Sequence, residues 1–444
     1  MNCGTIYYVF MIMGQLCPVI KIIGKSANMT RLIIVGAGAS GMMAAISSAR
    51  NNKDMEIIIL EHGMKPGRKI LATGNGRCNL TNKKLDNECF RSHDGDCIDS
   101  WLKECDTEKI INIFYEFGML TYDKGGYIYP YSRQASTVND LLIDMCESLG
   151  VKFVLDAHVL DIEICKDKTF NVLTSVGFEE NGVRKKKRES FKADKVILAC
   201  GGKAYSNLGS DGSGYKIAKN LGIKMIPTVP ALTGLKCKEN VYKLGAGVRT
   251  NARISLFVDH EMVCEDEGEL QLTEYGISGI PVFQVSRFAS YGLLDGCKVH
   301  VNIDFMPEYT EEEVRRNIDL FSGQCQNTIG KVLDGMINCK LKDMILAYCR
   351  IDENATVKDL SIEEMDKIVM AIKKFYSVIT ETNDFNQSQV CAGGVRLSEV
   401  DMNFQVKRIP GLYIVGELLD VDGICGGYNL HWAWLTGIIA GRDV

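Results

Sequence analysis

Apolar and polar positions divide the chain into blocks of contrasting period. Residues 31–35 (RLIIV) form a short apolar, β-branched run, the pattern of a buried strand. Residues 42–50 are rich in Ala and Met and read as helix. Residues 56–60, 151–155, 196–199 and 411–415 repeat the strand pattern. Residues 170–175, the basic run 184–188 and residues 190–198 look like an antiparallel meander between these blocks. Alternation at 252–259 and 298–304 predicts further strands, and 311–380 has helical spacing with many charges. The last block, from about Tyr428 through Trp432, Trp434, Gly437 and Ala440, predicts a terminal helix. Strand and helix alternate at both ends, which predicts an α/β fold with a parallel sheet. The expected organisation is an unstructured extension at 1–28 and an α/β domain split between 29–224 and 386–444. A β-rich subdomain at 225–305 and a small helical one at 306–385 interrupt it.

Composition narrows the class. The 444 residues are 46% hydrophobic and 24% charged, with net charge −5. That balance suits a globular enzyme and argues against a dedicated nucleic-acid binder. No stretch reaches about 18 uninterrupted apolar residues, so no membrane span is expected. The 17 cysteines are odd in number and irregularly spaced, and no two lie three apart. Zinc ribbons, clustered iron–sulfur ligands and disulfide relays lose their sequence support, and no metal site is expected. A reducing cytoplasm fits best. The 43 glycines exceed the usual share of about 7%.

The glycines fall at junctions. Gly36-Ala37-Gly38-Ala39-Ser40-Gly41 follows the first strand and opens the first helix. Strand, G-x-G-x-x-G and helix in that order mark a dinucleotide cradle. Gly36 allows the tight turn, Gly38 the approach of a pyrophosphate, and Gly41 close helix–strand packing. Glu61 ends the second strand 20 residues after Gly41, where a carboxylate would accept from ribose hydroxyls. A second loop at 67–82 holds three glycines, two Arg, one Lys and three Asn in 16 residues. Its Arg68, Lys69 and Arg77 suit phosphate charge, while Gly74, Asn75, Gly76 and Asn79 tolerate backbone that wraps a ligand.

That loop reads G-R-K-I-L-A-T-G-N-G-R-C-N-L-T-N and resembles the hallmark of the BaiN/YhiN-type flavoproteins. These are FAD-dependent oxidoreductases that include aminoacetone-oxidase-like members. The resemblance runs from about Met29 to the C-terminus. It implies a Rossmann-like FAD domain of glutathione-reductase type, with a β-meander, interrupted by the insert. It further implies that Ala39, Ser40 and Cys78 also line the cofactor, that Val159 offers its backbone to the adenine, and that Ala199 and Gly201 border the site. At the C-terminal junction it implies that Gly416-Glu417 holds the ribityl chain. Gly427, Tyr428 and Asn429 would bring a helix N-terminus to the N1/O2 edge of the flavin, where a positive dipole end favours negative charge. Cys200 stands where the family usually has Thr, and Cys391 where it often does. Leu272 and Glu274 depart from the family's G-E-x-x-F-T-H segment.

The implied activity is hydride transfer through flavin N5 in the reduction of an activated C=C bond, in a steroid- or bile-acid-like enone. No second G-x-G-x-x-G follows a strand, so no dedicated NAD(P) domain is expected, and the flavin is reduced either by transiently bound NAD(P)H or by another donor. Such a reaction needs a proton donor, and the candidates are Tyr428, His431, Lys203 and Tyr205. His431 is equally readable as a core residue beside Trp432 and Trp434. Two alternatives stay open: an amine oxidase acting on a small aminoketone with O2, and a non-catalytic flavoprotein that binds RNA or a protein partner. A small-molecule substrate is expected, with no nucleic-acid or membrane partner.

Overall fold

The computed structural model describes residues 7–12, 15–21, 29–180, 182–323 and 328–444. They form two compact units. The first takes the described residues up to Gly202, with Asn207–Ile226 and Gly393–Val444; the second takes Lys203–Ser206 and Pro227–Ala392.

The first unit is built on a five-stranded parallel sheet. Its order is Leu412–Ile414, Lys195–Leu198, Thr30–Val35, Met55–Leu60 and Lys152–Val154. The three central strands are almost wholly apolar because a parallel sheet is covered on both faces. Strands Ala157–Ile164, Phe170–Glu180 and Val183–Ala193 form the antiparallel meander. The expected Rossmann-type class with a meander is therefore present. Strands from both ends of the chain share one sheet, with Lys195–Leu198 between them.

Two helices fix that arrangement. Ala39–Asn51 and Tyr428–Asp443 pack backbone to backbone. A Cβ at Gly437 would lie 2.5 Å from the Ser40 carbonyl oxygen, and one at Gly441 2.4 Å from that of Ala44. Four residues apart, these glycines share one helical face and form a groove for the first helix. The Ser47 hydroxyl donates to the Ile438 carbonyl at 2.8 Å across the same seam.

Two expectations change. Residues 7–12 and 15–21, read as part of an unstructured extension, pair as antiparallel strands, so each satisfies the other's backbone groups. The other residues of that segment lie outside the described residues. The insert, read as two subdomains, is one unit. Six strands close a barrel in the order Leu235–Cys237, Gly276–Gly279, Glu261–Thr273, Arg249–Val258, Val299–Asp304 and Phe375–Thr382. Helices Glu311–Ser322, Cys339–Cys349 and Ile362–Lys373 share its core: Val314, Ile318, Met344 and Ile368 belong with Leu256, Val301 and Ile303. The helical reading of 311–380 fails at Phe375–Thr382, a strand that pairs with Val299–Asp304. Its alternating burial and β-branched residues are the signal that the charged helices before it obscured.

The helix seam makes a prediction. Gly441→Val must push apart backbones already in contact, at a cost of about 1–3 kcal/mol. Urea unfolding should show that loss as a lower midpoint. An unchanged midpoint would mean that the two helices are not packed this closely.

Candidate functional site

The site begins where the first strand ends. Gly36 has φ +106°, and a Cβ there would strike the Ala199 carbonyl oxygen at 2.4 Å. A Cβ at Gly41 would lie 2.0 Å from the Gly36 carbonyl oxygen. These two glycines are needed for packing. Gly38 is different: nothing lies within 4 Å of its would-be Cβ, so the backbone there faces open space. Gly38 is also the N-cap of Ala39–Asn51, which has neither a side-chain cap nor an acidic residue in its first turn. The first amides of that helix, at Ala39, Ser40 and Gly41, have no side-chain cap and lie at the positive end of the dipole. Glu61 braces the turn, accepting from the Ala37 amide at 2.8 Å and from the Gly63 amide at 2.7 Å. A carboxylate has about four acceptor sites, so this bracing leaves capacity for further donors.

The second loop departs from regular backbone. Gly74, Asn75, Gly76 and Cys78 all have positive φ, at 56°, 53°, 79° and 58°. Asn is among the few side chains that adopt this region readily, and Cys78 is held there by burial. Burial also pushes the Cys78 thiol up to about 12, so it stays protonated and unreactive. Arg68 donates to the Asn207 carbonyl at 2.6 Å. Lys69 forms a part-buried ion pair with Glu417 at 2.6 Å, joining the second loop to the C-terminal junction. Arg77 is exposed. Asn79 Oδ1 is buried without a hydrogen-bond partner, and a Cβ at Gly427 would lie 2.8 Å from it.

At the C-terminal junction Gly416 has φ +70°, and its amide donates to Thr436 Oγ1 at 2.9 Å. Trp432 Nε1 donates to the Gly416 carbonyl at 3.2 Å. The last helix therefore holds the residue that precedes Glu417. Gly427, with φ +95°, is the N-cap of that helix and again leaves the first turn without a side-chain cap or an acid. Val159 is buried on the meander, beside a register shift between Val159 and Asp161 that frees local backbone from the ladder. Ala199 and Gly201 follow Lys195–Leu198, and the Ala199 amide donates to the Val35 carbonyl at 2.9 Å. All the expected cofactor residues thus fall within the first unit.

Two of the expected proton donors, His431 and Tyr428, are enclosed in the core. The His431 ring is fully buried, with Nδ1 2.8 Å from Thr81 Oγ1 and Nε2 3.0 Å from the Cys105 carbonyl oxygen. Those partners assign the proton to Nε2 and leave no nitrogen for a substrate. Desolvation lowers its pKa to about 4, so it is neutral near pH 7. Tyr428 is buried edge-on against Phe90, and burial, then the Cys89 thiol, pushes its hydroxyl well above the ordinary range. Both side chains belong to the core and are withdrawn as proton donors. Asn429 clamps Gly423, accepting from its amide at 2.8 Å and donating to its carbonyl at 2.9 Å, so its side chain shapes the loop. Lys203 lies in the second unit with its ammonium 4.6 Å from the centre of the Phe385 ring. Tyr205 also lies there.

Sequence reasoning missed Asp420 and Asn139. Asp420 is fully buried and accepts from the His93 amide at 2.9 Å and from His93 Nδ1 at 3.0 Å. An acid within the apolar run 418–421 was the available signal. Asn139 presses against Gly67, where a Cβ would lie 1.6 Å from its Oδ1. Nothing in its helical sequence context pointed to this.

The neutral His431 sets a pH dependence. Its folded pKa lies below its unfolded value near 6.5, so the unfolded chain binds the extra proton between those values. Stability is complete above about pH 6.5 and falls as pH drops toward 4, by roughly 3 kcal/mol at 1.36 kcal/mol per unit. Urea midpoints measured from pH 7 to pH 4 should fall, and should fall less in His431→Gln. Equal slopes in the two proteins would contradict the burial.

Comparison with known proteins agrees with this geometry. The family described as HI0933-like protein Rossmann domain matches residues 30–443. A 3-dehydro-bile acid delta(4,6)-reductase of Clostridium scindens is 42% identical over 416 residues, covering 93% of this chain and 98% of that protein. A ribosomal RNA dihydrouridine synthase of Escherichia coli is 26% identical, over 93% of this chain and 97% of its own. Its counterpart from Haemophilus influenzae is 28% identical, over 90% and 95%. The resemblance carried by residues 67–82 is borne out: the chain belongs to the HI0933-like Rossmann family and, with it, to the FAD-dependent oxidoreductases.

Proposed function

We propose that the protein reduces a carbon–carbon double bond conjugated to a carbonyl, in a flat polycyclic substrate of the bile-acid class. The observation that carries this reading is the 42% identity to a bile-acid reductase across 93% of the chain. The chain's own residues fit FAD. The open backbone at Gly38, the uncapped amides of Ala39–Gly41 and the orphaned Asn79 Oδ1 are features a bound dinucleotide would complete. Ala39, Ser40 and Gly41 would hold the pyrophosphate through their amides, Glu61 the ribose and Glu417 the ribityl chain. The helix end at Gly427 would favour negative charge on the ring edge it meets. Bound FAD supplies two-electron chemistry at N5, with NAD(P)H or another reductant as the source. Lys69 pairs with Glu417 at 2.6 Å and orients it.

A second reading comes from the two dihydrouridine synthases, since the uracil double bond is also conjugated to a carbonyl. Their identity is 26–28% and the chain's net charge is −5. The basic strand Val183–Ala193 spends much of its charge internally: Arg184 pairs with Asp156, Lys185 with Glu180 and Lys187 with Glu189. These observations favour the small-molecule substrate.

Anaerobic stopped-flow separates the readings. Flavin absorbance should bleach with NAD(P)H or dithionite and return on addition of a steroid 4-en-3-one. Return only with unmodified ribosomal RNA would establish the second reading. Rapid bleaching by aminoacetone, with peroxide in air, would sink both in favour of an oxidase. In parallel, Glu61→Ala and Glu417→Ala should each weaken FAD binding about ten- to hundredfold, the value of a charge-assisted hydrogen bond. Unchanged affinity would remove that residue from the cofactor site.

A further inference from the structure

Beside the dinucleotide turn, three side chains from separate elements meet. His62 follows Glu61 in the loop after Met55–Leu60. His158 lies on Ala157–Ile164, and Asp211 stands just before Ser213–Asn220. One ligand atom from each, two imidazole nitrogens and a carboxylate oxygen, lies within 4.8 Å of the other two. The imidazoles meet edge to face at 5.7 Å, and neither makes a hydrogen bond among the described residues. Both are half-buried. The carboxylate is oriented from behind, where the Ser213 amide donates to Asp211 Oδ1 at 2.9 Å.

We infer that His62, His158 and Asp211 form a binding site for a divalent transition metal such as zinc. Two neutral imidazoles and one carboxylate are a familiar ligand set for zinc, with the fourth position left to water. Bonds of about 2.0–2.1 Å place tetrahedral ligand atoms about 3.3 Å apart. Side-chain rotation has only to close the present spread by roughly 1.5 Å. The Ser213 amide supplies the outer contact that fixes a ligating carboxylate. Calcium and magnesium are disfavoured, since both take mostly oxygen ligands. The ion would staple the turn after Glu61, the meander strand that carries Val159, and the segment leading into Ser213–Asn220. It would stiffen the frame of the cradle without entering the redox chemistry.

The site is tested on untagged, FAD-loaded protein. After zinc loading and gel filtration, elemental analysis should find one equivalent of metal per chain, and zinc should raise the melting temperature. Cobalt in its place should give a ligand-field band in the visible. H62A and H158A should each cut retained metal at least tenfold and abolish the thermal shift. Their flavin content and metal-free melting temperature report that they are folded. Should either variant misfold, Asp211→Asn serves, with weaker zinc retention expected. Wild-type protein that retains no zinc, or folded variants that retain as much as wild type, would overturn the assignment.

Discussion

Everything in the first unit depends on how closely the first and last helices approach. Gly437 and Gly441 let Tyr428–Asp443 lie directly on the backbone of Ala39–Asn51. A Cβ at either position would overlap a carbonyl oxygen of the partner helix. The two helices grow from strands of one parallel sheet, so close packing also fixes their N-terminal ends. Thr436 and Trp432 on the last helix then pin Gly416, and Gly416 positions Glu417. Lys69 completes the circuit from the second loop. A contact between the two ends of the chain is therefore what assembles the site.

Both helix ends at the glycine junctions lack a side-chain cap. Some helices away from the cradle are finished with side chains, while others, such as Ile280–Leu294 and Ile329–Asp334, are not. Thr310 and Ser361 each make a reciprocal cap with a Glu three residues on, and Asp106 caps Thr107–Glu116. The two helices at the glycine junctions have no such cap. Leaving them bare gives up roughly 1 kcal/mol of capping at each end. The amides left over are the groups a phosphate or a reduced flavin can use.

Much of this was legible before any coordinates. The order strand, glycine turn and helix, with Glu61 in register, announced the cradle. Residues 67–82 announced the family, because a ligand-wrapping loop must place its glycines and asparagines at particular positions. Chemistry that depends on burial was not legible. His431 and Tyr428 looked like proton donors because periodicity does not say whether a polar side chain on a wholly apolar helix finds its partners inside. His431 found Thr81 and the Cys105 carbonyl, more than 300 residues away. The insert was misdivided for a related reason. Phe375–Thr382 pairs with strands about 75 and 140 residues earlier, a distance over which local pattern carries no information. His62, His158 and Asp211 converge in the same way, with no spacing rule to reveal them.

The central claim is that one dinucleotide lies between the two bare helix ends. A crystal structure of the protein loaded with FAD tests it most directly. The pyrophosphate should sit on the backbone of residues 36–41, with the isoalloxazine against the helix end at Gly427. An FAD bound elsewhere, with both helix ends facing solvent, would contradict the account.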